Sequence, residues 1–226
     1  MATKTKMKQI NLVLCILTAV GGLCYNTIAH NLVMKAVASL GFTLIGVMNL
    51  AHGIRERKEG QQFAKLMVAG LAIGMAADIV LELHFMLGAL IFALGHVLYI
   101  LAYHRLRRFE IKDLTHGCLL LAALLGCILF LPIFDFGGIV MQGVCVFYAV
   151  LLSTMFGKAF ANFKKDPKTL TKMLAVGSAL FVFSDTMLLF SFFADVPAIV
   201  GSLCVNSYYP GQALIAASLQ WMDESL

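Results

Sequence analysis

The sequence predicts an all-α bundle of eight transmembrane helices with both termini cytoplasmic, and composition, block length and charge placement each point to it. Hydrophobic residues make up 61% of the 226 positions and charged residues 13%, with a mean hydropathy of +0.90. A soluble domain carries about 25% charged residues. The apolar excess recurs in blocks of roughly 18 to 22 residues, the length that crosses about 30 Å of hydrocarbon. Continuous apolar runs without alternation mean helices, because an unpaired backbone group in lipid costs several kcal/mol.

The first span, Ile10 to Ala29, follows Lys4, Lys6 and Lys8. It is too long for the apolar core of a removable signal and lacks a small-residue cleavage site, so it reads as an uncleaved anchor. The second, Leu32 to Leu50, is separated from it only by His30-Asn31; the alternative there is one long kinked segment with a re-entrant piece. Phe63 to Leu83 and Phe85 to Tyr103 form the third and fourth spans, Leu114 to Leu131 and Gly137 to Gly157 the fifth and sixth. Leu170 to Phe193 and Ala198 to Leu219 complete the set. The polar joints are too short for a soluble domain, so residues 1–226 read as a single membrane domain.

Charge supports the count independently. With the amino terminus inside, 16 of the 17 Lys and Arg residues fall on inner segments, and Lys35, within the second span, is the exception. One span more or fewer would invert every later loop and destroy this inside-positive pattern. The net charge of +5 is therefore topogenic, with attraction to anionic inner-leaflet lipid, and no nucleic-acid partner is expected. Arg105, Arg107 and Arg108 read as a stop-transfer cluster. The six cysteines lie within spans and form no CxxC pair, which predicts neither a disulfide nor a metal centre. The pattern fits a bacterial inner membrane, or the endoplasmic reticulum in a eukaryote.

Small residues at helical spacing, Gly70 with Gly74 and Ala38 with Gly41, suggest close helix contacts. Pro210 lies within the last span, so Tyr208 to Gln212 is expected to form an irregular stretch. Gly70 precedes Asp78 as Gly177 precedes Asp185, a faint internal echo of the kind transporters show.

The informative residues are polar groups where lipid should be. Asp78 and Asp185 each lie 13 residues beyond an inner lysine, Lys65 and Lys172, which places both about 20 Å from the inner boundary. Tyr208, Tyr209 and Gln212 fall near that layer. His96 and Tyr99 lie closer to the cytoplasm, and Glu82 and Lys35 further out. Intramembrane carboxylates face a bundle interior or a cavity. Two of them close together in low dielectric share a proton, one serving as acid and the other as base. Such a cavity suits acid/base hydrolysis of an amphipathic molecule, with tyrosines and glutamine holding its polar part. The same residues would also serve a proton relay in a small transporter, or simply join helices.

At these positions the chain resembles the YhhN-like, or lysoplasmalogenase, family of eight-span membrane proteins. The resemblance rests on Gly70 to Asp78, Leu87 to Tyr99, Gly177 to Asp185 and Tyr208 to Ile215, with Lys35 in the second span. Ala77, Ala36 and Pro210-Gly211 depart from the usual family residues and leave both carboxylates in place. The resemblance implies hydrolysis of the vinyl ether bond of lysoplasmalogens to a fatty aldehyde and a glycerophospho-base, with no cofactor. It implies as partners a vinyl ether lysophospholipid, water and membrane lipid. Asp78 and Asp185 would then be the acid/base pair. Tyr208, Tyr209, Gln212 and His96 would orient glycerol oxygen and water, Lys35 would meet the phosphate, and Glu82 and Tyr99 would complete the binding set.

Overall fold

The computed structural model describes residues 2–28, 30–56 and 60–224, all helix and short connections. Among the inner charges, Arg57 and Lys58 and the side chains of Lys4 and Arg55 lie outside the described residues, as does Ala29, the expected end of the first span. The long helices are α1 (Ala2–Thr27), α2 (Leu32–Glu56), α3 (Gln61–Leu83), α4 (Phe85–Leu106), α5 (Leu114–Phe130), α6 (Ile139–Lys165), α7 (Thr169–Phe193) and α8 (Ile199–Ser218). Short 3-10 turns at Ile111–Asp113 and Leu219–Glu224 precede α5 and follow α8.

Seven of these helices are long and apolar enough to cross a membrane. The eighth, α8, carries more polar side chains and turns them inward, burying Ser207, Tyr208, Tyr209, Gln212 and Ser218. In ring order, α1, α2, α3, α4, α6, α7 and α8 close on themselves, and α8 also reaches α2 and α3. Helix α5 stands outside the ring against α6. Leu12, Val33, Leu119, Phe130, Ile139 and other large apolar side chains are exposed around the bundle, as a lipid-facing surface requires.

From α2 onward the helix starts lie within two residues of the expected spans, whereas α1 begins at Ala2 rather than Ile10, and α2, α4 and α6 also run further into the basic side. Composition marks the hydrocarbon edge, whereas backbone hydrogen bonding continues until a breaker intervenes. For α6 that breaker is Pro167, which forces Asp166 out of the helical region and ends the helix at Lys165. Lys158, expected in the joint, is therefore helical and fully buried. Before α3, Gly60 adopts φ 74°, the left-handed conformation that glycine accepts without strain. His30-Asn31 separates two complete helices, so the re-entrant alternative does not occur.

Pro210 does not produce the expected irregular stretch, because α8 is helical through Tyr208 to Gln212. Neighbouring helices hold backbone around such prolines, and here α7 does so at very close range. A Cβ on Gly177 would lie 2.9 Å from the Gly211 carbonyl oxygen, and one on Gly211 would lie 3.1 Å from the Gly177 carbonyl oxygen. Gly177→Val should therefore force α7 from α8 and cost about 1–3 kcal/mol, the usual range for overpacking. A lower unfolding midpoint in detergent is the expected result; an unchanged midpoint would show that the helices part there freely.

Other small residues work differently. Gly41 and Ala38 let α2 approach α1 at Thr18 and Gly21. Gly70 and Gly74 instead make room for side chains: a Cβ on Gly70 would strike the Tyr99 ring, and one on Gly74 would lie 3.2 Å from the Gln212 amide nitrogen.

Candidate active site

The connections on the side opposite the basic joints surround a cleft of about 630 Å³. Its rim includes Asn26, His30, His84 and Ser202, and its inner wall includes Asp78, Asp185, Phe92, Tyr208 and Tyr209. Both intramembrane aspartates therefore border one space, with α3 and α7 contributing one each. The ruler of 13 residues from Lys65 and from Lys172 places them at matching depth, and bundle closure turns both inward.

Asp78 is 3% exposed and is held on one oxygen. Its Oδ2 accepts hydrogen bonds from Ser39 Oγ at 2.5 Å and from the Tyr208 hydroxyl at 2.9 Å. Behind Tyr208 the chain of bonds continues inward. Gln212 Nε2 donates to the Tyr208 oxygen at 3.4 Å, while Gln212 Oε1 accepts from Tyr99 at 2.8 Å. With its oxygen occupied by the amide donor, the Tyr208 hydroxyl directs its proton at Asp78. The space created by Gly70 and Gly74 is thus what allows this row to form.

Asp185 has different surroundings. Its Oδ2 accepts one hydrogen bond, from Tyr148 at 2.6 Å, and lies 3.8 Å from His96 Nε2. His96 Nδ1 is 2.8 Å from the Phe92 carbonyl oxygen, which can only accept, so that nitrogen carries a proton. Nε2 is buried without a hydrogen-bond partner, and the 3.8 Å gap to Asp185 exceeds a direct bond. The imidazole is fixed edge-on to Tyr148 and Phe181, with centroids 5.0 and 4.9 Å away.

A charged pair stands nearer the mouth. Lys35 Nζ lies 2.8 Å from Glu82 Oε1, which also accepts from the Tyr25 hydroxyl. The Tyr25 oxygen meets His30 Nε2 at 3.1 Å, and their rings stack with centroids 4.4 Å apart. Lys35 is thus paired with Glu82 rather than hydrogen-bonded to either aspartate.

Among the expected site residues, Asp78, Asp185, Lys35, Glu82, Tyr208 and Tyr209 border the cleft. His96, Tyr99 and Gln212 stand behind its wall, where they touch residues that face it. These three do not line the cleft themselves: Gln212 bonds Tyr208, Tyr99 bonds Gln212, and His96 lies 3.8 Å from Asp185. Tyr25, Ser39 and Tyr148 were not anticipated. Ser39 had a readable signal, since it lies one turn from Lys35 on the same face of α2; Tyr148 had none beyond being a tyrosine within a span. Among the described residues, no group of three His, Cys, Asp or Glu is gathered to hold a metal ion.

These features define an all-α polytopic membrane protein with a polar cleft sunk into one face and two carboxylates on its wall. The YhhN family model matches residues 30–219, and the chain belongs to that family, one of polytopic membrane proteins. No curated protein and no solved structure matches the chain.

Proposed function

We propose that this protein is a lysoplasmalogenase-type hydrolase that cleaves the vinyl ether bond of an alkenyl lysophospholipid. Membership of the YhhN family supports a lipid-handling membrane protein of hydrolase type. The observation that carries the finer reading is that Asp78 and Asp185 open onto one cleft in distinct hydrogen-bond settings.

Vinyl ether cleavage needs a proton on the second carbon of the alkenyl chain, leaving an oxocarbenium ion centred on the first. Water adds its oxygen to that first carbon and gives up a proton, forming a hemiacetal that collapses to aldehyde and a free glycerol hydroxyl. One carboxylic acid supplies the first proton; one carboxylate steadies the cation and receives the proton from water. Transfer of that proton back to the donor restores the pair, and one water is consumed. Lys35 and Glu82 near the mouth offer opposite charges to a phosphate and an amine. The lipid itself supplies a substrate whose chain already lies in the membrane.

Purified protein in mixed micelles should release fatty aldehyde from 1-alkenyl lysophosphatidylcholine or lysophosphatidylethanolamine and should leave the 1-acyl analogues intact. No aldehyde from either head group, together with pH-driven solute flux in vesicles, would replace this reading with proton-coupled transport by the same aspartates.

A further inference from the structure

Beside the polar cleft lies a small slot of about 60 Å³ whose lining is apolar apart from Tyr148, Asp185 and Thr186. Its lining comes mainly from α4, α5, α6 and α7, with Ala89 from α4, Leu124 and Ile128 from α5, Val144 from α6 and Leu189 from α7. Its mostly apolar lining suits a hydrocarbon chain better than a charged head group. Slot and cleft share Leu81, Phe85, Phe92, Asp185 and Leu188. Asp185 is the carboxylate common to both spaces, whereas Asp78 borders the cleft alone.

We infer that this slot binds one hydrocarbon chain, and that a lipid seated there with its polar end in the cleft presents its chain-side reacting carbon to Asp185. The inference rests on the vinyl ether reading for its chemistry and on the two adjoining cavities for its geometry. Such a lipid changes from apolar to polar at its ether oxygen, and the protein changes from apolar to polar at Asp185. Superimposing the two boundaries puts the second alkenyl carbon, which must gain the proton, on the slot side. The first carbon, which water attacks, then falls on the cleft side, where Asp78 is. Asp185 is thereby the proton donor and Asp78 the carboxylate that receives the proton from water.

Packing supplies the route. Helix α5 rests on α6, outside the ring, while α4 packs on α3 and α6. The slot wall between α4 and α5 is therefore built from side chains such as Ala89 and Leu124 rather than from interlocked helices, and a chain arriving from lipid would enter there. Another apolar groove, lined by Val33, Ala36, Met75 and Ile79, lies between α2 and α3 but shares no lining residue with the cleft. A chain held there would have no carboxylate beside it.

Two half-buried positions on opposite walls, Ala89 in α4 and Val144 in α6, allow a steric test. Ala89→Phe and Val144→Phe should each lower kcat/KM for a 16-carbon alkenyl substrate at least tenfold more than for a 4-carbon one. Leu119→Trp, on the exposed face of α5 away from the slot, should leave both values as in the wild type. Equal loss at both chain lengths, or no loss, would overturn the slot assignment. Wild-type protein inactive on both chains would instead sink the vinyl ether reading, and the slot keeps a readout of its own. A 1-acyl lysophosphatidylcholine bearing a diazirine on its chain should label Leu124 to Ile128 or Val144 to Leu152. Labelling confined to Val33 to Leu40 and Met75 to Ile79 would place the chain in the other groove and refute the proposal.

Discussion

Asp185→Asn is expected to cut aldehyde release by about 10²- to 10⁴-fold, the range a positioned general acid or base contributes. The substitution keeps the shape of the side chain and keeps an oxygen to accept the Tyr148 hydrogen bond. That same oxygen is the atom 3.8 Å from His96 Nε2, too far for a direct bond, so the amide breaks no hydrogen bond there and the fold has no reason to suffer. Asp78→Asn should lose a similar factor, since its amide oxygen can still accept from Ser39 and Tyr208 but an amide takes no proton from water. On the proposed reading the two carboxylates share one proton cycle, so the double variant should fall little further than either single one. The measurement is initial aldehyde release from protein that elutes from size-exclusion chromatography as the wild type does. A single Asn variant that keeps more than a tenth of wild-type release would remove that carboxylate from the acid/base pair.

Span number was legible because lysines and arginines cost most in lipid and collect on one side. That Asp78 and Asp185 could border one space was legible for a related reason: helix rise is fixed, and each lies 13 residues beyond an inner lysine, Lys65 or Lys172. Such a ruler gives depth along a helix but says little about rotation around it. It could not tell that Tyr208 faces Asp78 while Tyr99 stands behind Gln212, because those partners are 130 and 113 residues apart in the chain. Tyr148 was hidden for the same reason. Pro210 misled in another way, since its local cost is real but α8 stays helical through it, packed on α7 at the Gly177 to Gly211 contact that neither segment shows alone.

The limit is clearest at the cytoplasmic edge, where hydropathy read Lys158 as one more interfacial charge. It is 0% exposed, its ammonium 2.7 Å from Asp113 Oδ2 and 3.0 Å from the Arg108 carbonyl oxygen. Arg107 also pairs with Asp113, reaches Glu110 at 2.8 Å and donates through Nε to Asn162 at 3.3 Å. Asn162 in turn donates to the Tyr103 carbonyl at 3.0 Å, which ties the end of α4 to α6. At the exposed rim, the hydrogen bond from Lys165 holds the Glu110 carboxyl below its ordinary range.

Asp113→Ala should therefore destabilise the protein by about 3 kcal/mol, the lower end of the cost of breaking a buried ion pair, because the cluster lies near cytoplasmic water. What costs is the stranded Lys158 ammonium rather than the lost attraction. Hence Asp113→Leu combined with Lys158→Met should recover most of the loss, leaving a protein more stable than Asp113→Ala. Thermal unfolding of the variants in one detergent measures both effects. If Asp113→Ala unfolds with the wild type, the cluster is solvated and adds nothing. If the apolar pair is as unstable as the single variant, the stabilisation lies in the Arg107 and Asp113 contact instead. Aldehyde release at low temperature should survive in Asp113→Ala, since the cluster clamps α4 to α6 at the end of the bundle opposite the cleft. That clamp also bears on the slot: with their inner ends tied, α4 and α6 can separate only towards their outer ends, where Ala89 and Val144 face the proposed chain.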